Sequence, residues 1–431
     1  MRARNWVIGL ALPLLAAIAV GIAVVVIVGA NNNIGSAPTA IDAGFPPARV
    51  ATADFGGAAG RPPVQLSTIA AAGPTEVAGG SARGGLALWV SGNGGSTWQR
   101  SVVTGVGHIR LGSGQLAWVA HGASGWLAVG DAASGADAAR PVVLGSADGQ
   151  TWTAVGGTGT GTGAFGATGT GAGRIVTAAV AAGGAGRAGY VIVGHASVGP
   201  RTVAAAWYAP GRTGWRRATS ARPGALDGPG NRVMSAVTAT SRGFAAVGAV
   251  GPRPAAWLSG TGRTWTAVTL PLPAGAASAA LDYVAANGAA VAAVGTEVTA
   301  AGQRRPFDAV STDAGATWTL ALLPAPGGST TSAESATALT AAGGGFTATG
   351  TYSLPGAADV VVWTLPAGAA AGTAWTAVAP QGLGLSRGSM QAITALTATG
   401  DTLTGVGYVT TKATATGTAT EPTIWQSPVR S

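Results

Sequence analysis

Short apolar segments recur in a fixed order along the chain from residue 64 onward, and their spacing predicts β-structure. One segment of each set ends in the same letters, as in WLAVG (126–130), YVIVG (190–194) and FAAVG (244–248). The next segment carries an aromatic residue near its end, as in PAAWLS, and a later one begins with the letters TW. Runs of about 4–8 apolar residues bounded by Gly, Ser and Asn are typical of strands joined by turns. We therefore predict an all-β chain made of repeated four-stranded units.

A short sequence motif separates the last two strands of each unit, and the distance between its copies gives the length of the repeat. It reads SGNGGSTW (91–98), SADGQTW (146–152), SGTGRTW (259–265) and STDAGATW (311–318), and weaker copies end at Trp215 and Trp375. The tryptophans that close the phrase are spaced by roughly 50 to 60 residues, which suits one four-stranded propeller blade. Gly, Asp, Asn and Ser in such a phrase favour a tight hairpin, because their side chains bond turn amides or allow a positive φ.

This spacing predicts one domain over residues 48–431, a seven-bladed β-propeller of four-stranded antiparallel blades. The seventh unit lacks a TW strand, so we expect residues 48–56 to close the ring as its outer strand, which would protect an exposed edge. The predicted blades cover approximately residues 64–103, 115–155, 174–218, 232–268, 281–321, 335–378 and 389–427.

The phrase S-x-D-x-G-x-T-W, complete at Ser311–Trp318, resembles the Asp-box or BNR repeat of sialidases, sortilin-type receptors, some glycoside hydrolases and a photosystem II assembly factor. The resemblance is sialidase-like in fold only, and it implies that each box lies at the blade periphery, away from the central binding face. We therefore assign the box residues a structural role. They are Ser91, Asn93, Trp98, Ser146, Asp148, Trp152, Ser259, Trp265, Ser311, Asp313, Gly315 and Trp318.

The N-terminal segment predicts export to the outside of a membrane. Residues 6–30 contain no charged side chain and would span about 37 Å as a helix, more than the roughly 30 Å of a hydrocarbon core. Arg2 and Arg4 precede the run, and the next basic residue is Arg49. The positive-inside rule then places residues 1–5 in the cytoplasm, and residues 31–47 become an extracytoplasmic linker. The alternative is a secreted protein released by cleavage near Ala30.

Composition and charge limit the classes of site that the chain can hold. Charged residues make up 9% of the sequence, the net charge is +9 and cysteine is absent, which excludes disulfides and thiolate chemistry. The pattern lacks the basic and aromatic stripe typical of nucleic-acid binding, so we expect no nucleic-acid partner. We also expect no metal and no other cofactor. One basic cluster could meet a partner, and its members are Arg212, Arg216, Arg217, Arg222 and Arg232.

The resemblance suggests sialidase activity as the most specific catalytic hypothesis. Such enzymes use three arginines, a tyrosine with a glutamate partner and an acid/base aspartate, and they usually carry an Arg-Ile-Pro motif that this sequence lacks. The glutamates are only Glu76, Glu297, Glu334 and Glu421, and no spacing marks a carboxylate pair. We therefore predict no enzyme. The expected function is a non-catalytic binding or assembly scaffold for a protein or cell-envelope partner, and the alternative is a carbohydrate-active hydrolase.

Overall fold

The computed structural model describes most of the chain beyond residue 63. The described residues are 47–48, 64–82, 85–104, 114–132, 140–155, 165, 174–181, 189–325, 333–354, 357–370, 372–378, 390–414 and 417–429. The predicted cytoplasmic residues 1–5, the predicted membrane segment 6–30 and almost all of the linker lie outside them. Among the described residues, no helix is long and apolar enough to cross a membrane.

Thirty strands account for nearly all the regular structure of the described residues. The first half comprises β1 (Pro47–Ala48), β2 (Gln65–Ala72), β3 (Thr75–Ala82), β4 (Gly85–Ser91), β5 (Gln99–Arg100), β6 (Val102–Thr104), β7 (Gly114–Gly122), β8 (Gly125–Ala132), β9 (Arg140–Ser146), β10 (Thr151–Ala154), β11 (Arg174–Ala181), β12 (Tyr190–Val198), β13 (Arg201–Ala209), β14 (Arg216–Arg217) and β15 (Thr219–Ser220).

The remaining strands continue the same order. They are β16 (Arg232–Thr240), β17 (Gly243–Val250), β18 (Arg253–Ser259), β19 (Thr264–Thr269), β20 (Ala276–Asn287), β21 (Ala290–Thr299), β22 (Arg304–Ser311), β23 (Thr319–Leu322), β24 (Ala333–Ala342), β25 (Gly345–Leu354), β26 (Ala357–Leu365), β27 (Thr376–Val378), β28 (Met390–Thr399), β29 (Thr402–Thr414) and β30 (Gly417–Pro428).

These strands form seven blades arranged in a closed ring, and the pairing within the blades is antiparallel except where β6 and β15 each add a short parallel edge strand to the next blade. The first strands of the blades are β2, β7, β11, β16, β20, β24 and β28, and the second and third strands follow outward in chain order. Each first strand contacts the first strand of the next blade, and β28 contacts β2. The ring of first strands therefore surrounds a central channel. The predicted all-β, seven-bladed propeller is confirmed.

The alternation of strand directions gives the propeller two different faces. Hairpins that join the first to the second strand, and the third to the fourth, lie on one face, which we call the lower face. Hairpins that join the second to the third strand lie on the opposite, upper face, together with the start of every first strand. The box segments join third and fourth strands, so they lie on the lower face.

Every first strand has a β-bulge near its upper end, and the bulge explains the recurring VG letters. The glycine of the second strand lies opposite the residue before the bulge, as where Gly248 pairs with Met234. A Cβ on Gly248 would lie 1.9 Å from the carbonyl oxygen of Val233, and one on Gly80 would lie 1.8 Å from that of Gln65. Only glycine fits so close to a neighbouring backbone, which is why the letter recurs in each blade.

The hydrophobic cores lie between neighbouring blades. The tryptophan of the third strand is buried in most blades, as at Trp207 and Trp257, and it packs against valine and alanine side chains of the adjacent sheet. Small alanines on the facing strands leave room for these large rings. Burial of such aromatic surface holds neighbouring blades together.

Blade 7 closes the ring with a strand from the N-terminal side of the chain. Pro47 and Ala48 of β1 pair antiparallel with Trp425 and Ile424 of β30. In the predicted closing strand, residues 49–56 lie outside the described residues. On the inner side of the same seam, the Thr404 hydroxyl of blade 7 donates a 3.0 Å hydrogen bond to the buried carboxyl group of Glu76 in blade 1.

Candidate functional site at the central channel

The β-bulges place one residue of each blade around the upper end of the channel. Residues at this position are small or carry a hydroxyl group, with a single acidic exception in blade 5. In blade order, they are Ser67, Ala117, Thr177, Ser235, Asp282, Thr337 and Thr394.

Two hydroxyl groups of this ring bind the backbone of the next blade. The Thr394 hydroxyl of blade 7 donates to the carbonyl oxygen of Leu66 in blade 1 at 2.7 Å. The Ser67 hydroxyl of blade 1 donates to the equivalent carbonyl oxygen, that of Leu116, in blade 2. These hydroxyl groups are therefore committed to joining blades, and they are poorly placed to act on a ligand.

Asp282 replaces the hydroxyl residue in blade 5, and its chemistry differs from that of its neighbours. A carboxylate can only accept hydrogen bonds, whereas the hydroxyl groups of Ser67 and Thr394 donate to carbonyl oxygens. Burial in the channel wall raises the pKa of Asp282 to about 7, although the positive charge of Arg304 opposes this shift. Burial also raises the pKa of the adjacent Tyr283, and the charge of Asp282 adds to this effect. Asp282 therefore changes its charge near neutral pH.

A second carboxylate of blade 5, that of Glu297, is occupied by an arginine. Glu297 is fully buried. Its carboxylate accepts a 2.7 Å hydrogen bond from Arg305 Nε and forms an ion pair with the same guanidinium group. Successive residues of a strand point to opposite faces. Glu297 and Arg305 therefore share one face, while Val298 and its partner Arg304, which acts on Asp282, share the other.

The predicted box residues lie on the lower face, in turns that satisfy their own polar groups. In the first box, the Ser91 hydroxyl donates to Asn93 Oδ1 and accepts from the Gly95 amide, both at 2.9 Å. The Thr97 amide donates to Asn93 Oδ1, and Trp98 Nε1 donates to the Gly95 carbonyl oxygen, again at 2.9 Å. The turn and the tryptophan thus form one hydrogen-bonded unit.

The other complete boxes repeat this arrangement. Ser146 bonds Asp148, and Trp152 Nε1 donates to the Gly149 carbonyl oxygen at 2.8 Å. The box of blade 4 keeps the bonds of Ser259 and Trp265 to Gly262 without an acidic residue.

The acidic residue of the blade 5 box has an unusually low pKa. Asp313 accepts hydrogen bonds from the Ser311 hydroxyl and from the amide and hydroxyl of Thr317, and Trp318 Nε1 donates to the Gly315 carbonyl oxygen at 2.7 Å. Partial burial raises the pKa of Asp313, but the hydrogen bonds outweigh it and hold the value at about 2. The carboxylate is therefore ionised and fully occupied by its own turn.

The predicted basic cluster does not form one compact patch. Arg212 lies in the turn between the third and fourth strands of blade 3, on the lower face, whereas Arg232 begins β16 at the upper face. Arg216 and Arg217 form β14, and the Arg217 guanidinium lies 5.5 Å from the Trp207 ring centre. Arg222 is exposed on the connection between blades 3 and 4. These arginines are therefore spread from the lower face of blade 3 to the upper end of the first strand of blade 4.

Sequence reasoning missed Asp282, although a signal for it exists. The seven blade sequences can be aligned on the glycine of the second strand. At the bulge position of this alignment, Asp282 is acidic, whereas the other blades have Ser, Thr or Ala. This position becomes recognisable only when the bulge is known, because the bulge shifts the register of the strand by one residue.

No protein-family model matches the chain, and no curated protein matches it. Solved structures with a similar fold include YCF48 from Cyanidioschyzon merolae, at 14% identity over 89% of this chain and 98% of that one, with a TM-score of 0.49. The Penicillium chrysogenum alpha-L-arabinanase complexed with arabinobiose is 12% identical over 89% and 96%, with a TM-score of 0.47. Trypanosoma rangeli sialidase bound to the inhibitor DANA is 12% identical over 84% and 54%, with a TM-score of 0.44. At these identities the likeness concerns the fold alone.

Proposed function

We propose that the chain is a membrane-anchored, extracytoplasmic propeller that acts as a non-catalytic binding or assembly scaffold for a protein or cell-envelope partner. The observation that carries this proposal is that Glu297 is already neutralised by Arg305, so it is not free to form a catalytic carboxylate pair with Asp282. A two-carboxylate glycosidase needs both acids on opposite sides of one scissile bond, about 5–10 Å apart. Here Glu297 forms an ion pair with Arg305, whereas Asp282 lies in the field of Arg304. The upper-face hairpins, which a rigid ring holds in place, would then provide the binding surface.

The proposal of an anchor rests on residues 6–30 and on the arginines that precede them. Protease added to intact spheroplasts should degrade the propeller, while alkaline carbonate should leave the protein in the membrane fraction. A propeller that stays protected until the membrane is permeabilised would contradict the orientation. Release by carbonate, together with a mature N-terminus near Ala30, would favour the secreted alternative.

The second candidate function is a carbohydrate-active hydrolase of the sialidase-like type. It is favoured by one observation, namely that a channel carboxyl group with a pKa of about 7 lies beside Tyr283 and within the field of Arg304. A carboxylic acid that titrates near neutral pH can act as a general acid. The ion pair that occupies Glu297 argues against this candidate.

Hydrolysis assays on the purified full chain separate the two functions. We expect no turnover of sialosides, arabinosides or aryl glycosides by the wild-type protein. Asp282→Asn and Glu297→Gln serve as matched variants, because each removes one carboxylate from blade 5. Turnover that Asp282→Asn abolishes and that falls as the pH rises above about 7, as expected for a general acid, would establish the hydrolase and overturn the scaffold.

A further inference from the structure

An arginine begins the third strand in four successive blades. Third strands start at the upper face, so the four backbones lie along one arc of its rim. The four residues are Arg140, Arg201, Arg253 and Arg304, and we call them the upper arginine arc. We infer that this arc is the docking surface for a linear polyanion with repeated phosphate groups. The inference rests on the proposed function and names the chemistry of the partner.

Three members of the arc have side chains that are available to a partner. The side chains of Arg201, Arg253 and Arg304 are exposed. Within the part of the chain that the structure describes, no carboxylate lies within ion-pair distance of any of the three. The neighbouring Arg305, by contrast, is neutralised by Glu297. Arg201 and Arg253 therefore present uncompensated positive charge at the upper face, and the charge of Arg304 is opposed only by Asp282, with which it forms no ion pair.

Short hairpins hold two members of the arc in fixed positions. Arg201 pairs with Val198, and Arg253 pairs with Val250, so that only a Gly-Pro dipeptide closes each turn. The glycines of these turns have φ values of 57° and 56°. The proline that follows each glycine has its own φ fixed by its ring. Rigid hairpins reduce the entropy that binding would cost. The backbone that carries these guanidinium groups is therefore preorganised.

The seam between blades 3 and 4 provides an independent observation that points to an anion. Arg232 begins β16 at the upper face, and its Nε atom is buried without a hydrogen-bond acceptor among the described residues. His195 Nδ1, on the adjoining blade, is also buried and unpaired. The nearby Asn231 side chain is already occupied, since its Oδ1 accepts from the Thr202 amide at 3.0 Å. Asp227 acts on the charge of the Arg232 guanidinium group, but the Nε atom still lacks an acceptor, and a buried nitrogen of this kind favours an anionic oxygen from a ligand.

The form of the surface favours a polyanion over a membrane. Membrane docking needs apolar side chains that insert between lipids as well as basic ones, whereas the two short hairpins between the valines and arginines consist of glycine and proline. One arginine per blade at an equivalent position matches a ligand whose charges recur along its length. Guanidinium groups bind phosphate in a bidentate manner. Repeated phosphate is therefore the chemistry that fits.

The test uses the full chain in detergent and a linear inorganic polyphosphate of defined length. Binding is measured by fluorescence anisotropy between low and physiological salt. The upper variant carries Arg201→Ala, Arg253→Ala and Arg304→Ala. The matched control carries Arg100→Ala, Arg242→Ala and Arg263→Ala, which removes the same charge from exposed positions of the lower half.

We expect the upper variant to bind polyphosphate about tenfold or more weakly and to lose about 2 from the slope of log affinity against log salt, since each phosphate contact contributes about 0.7 for a flexible strand. The control should bind like the wild type. Equal weakening in both variants, or no binding by the wild type, would overturn the inference. Arc-dependent binding to anionic lipid vesicles without polyphosphate binding would also overturn it, yet leave the scaffold function intact. Hydrolytic turnover would instead defeat the scaffold function without bearing on the arc.

Discussion

The lower and upper faces of the propeller use hairpins in opposite ways. On the lower face, polar side chains of the boxes bond the turn that carries them, and the closing tryptophan donates back to the same turn. On the upper face, Arg201 and Arg253 directly follow two-residue turns. Their side chains are exposed and form no ion pair with a carboxylate of the described residues. A turn whose polar groups are satisfied internally contributes stability and offers little to a ligand. The contrast suggests that stability and recognition are divided between the two faces, and each prediction below tests that division.

The largest expected effect belongs to a buried box tryptophan. Trp265 is fully buried and donates to Gly262, so Trp265→Ala should lower the free energy of unfolding by about 3–5 kcal/mol. Trp318 in the next box is only half-buried, and Trp318→Ala should cost clearly less. Chemical denaturation of both variants measures the difference. Equal losses would show that burial does not set the strength of a box.

A smaller loss is expected where the VG glycine meets the bulge. Gly248→Ala places a Cβ 1.9 Å from the Val233 carbonyl oxygen, so the backbone must shift, at a cost of about 1–3 kcal/mol. Gly260→Ala in the lower-face turn is the control, because the nearest atom to its Cβ lies at 3.9 Å. Thermal melting should separate the two variants. A Gly248 variant as stable as the control would mean that the bulge is not rigid.

The two faces should also respond to pH with opposite sign. Asp282 has a folded pKa of about 7, above its unfolded value of about 3.9, so the folded state holds its proton more tightly and stability should fall as pH rises from 4 to 7. Asp282→Asn should remove this fall and stabilise the protein above pH 7. Denaturation curves at pH 5 and pH 8 test it, and an unchanged difference between them would contradict the shift.

Asp313 on the lower face gives the reverse dependence. Its folded pKa of about 2 lies below the unfolded value of about 3.9, so its contribution is present above pH 4 and is lost as the pH falls toward 2. Asp313→Asn should flatten the stability curve in that acidic window only. A flat wild-type curve between pH 4 and pH 2 would refute the role of these hydrogen bonds.

The smallest effect on stability should come from the upper arginine arc. Replacing Arg201, Arg253 and Arg304 by alanine should change the free energy of unfolding by less than about 0.5 kcal/mol per site, because exposed side chains without partners contribute little. Denaturation at moderate salt provides the measurement. A loss comparable to that of the box tryptophan would place these arginines in the framework of the fold.

The fold was predictable from the sequence because the backbone geometry of each blade requires the same residue types at the same positions. The VG glycine has no room for a side chain beside the bulge, and the box serine and tryptophan bond their own turn, so each blade needs the same residues at the same places. The channel site was not predictable to the same degree. Asp282 lies inside a bulge, where the alternation of side chains is broken, and its coupling to Arg304 depends on a register that the letters do not reveal. Likewise, Arg212 and Arg232 are near in sequence but lie at opposite faces, because the chain crosses the blade between them.

The seam between blades 7 and 1 has a consequence for how the protein acquires its structure. The hydrogen bond from Thr404 to Glu76 joins residues that are 328 positions apart, and β1 meets β30 only after nearly the whole chain has been made. Contacts this distant in sequence form slowly, so blades 2 to 6 should assemble one after another while the ring is still open. Until the C-terminal strands arrive, the inner face of β2 lacks its neighbour β28 and remains open to wrong pairings. Ring closure should therefore be the slow, final step of folding, and the interval before it is when the chain is most prone to aggregate.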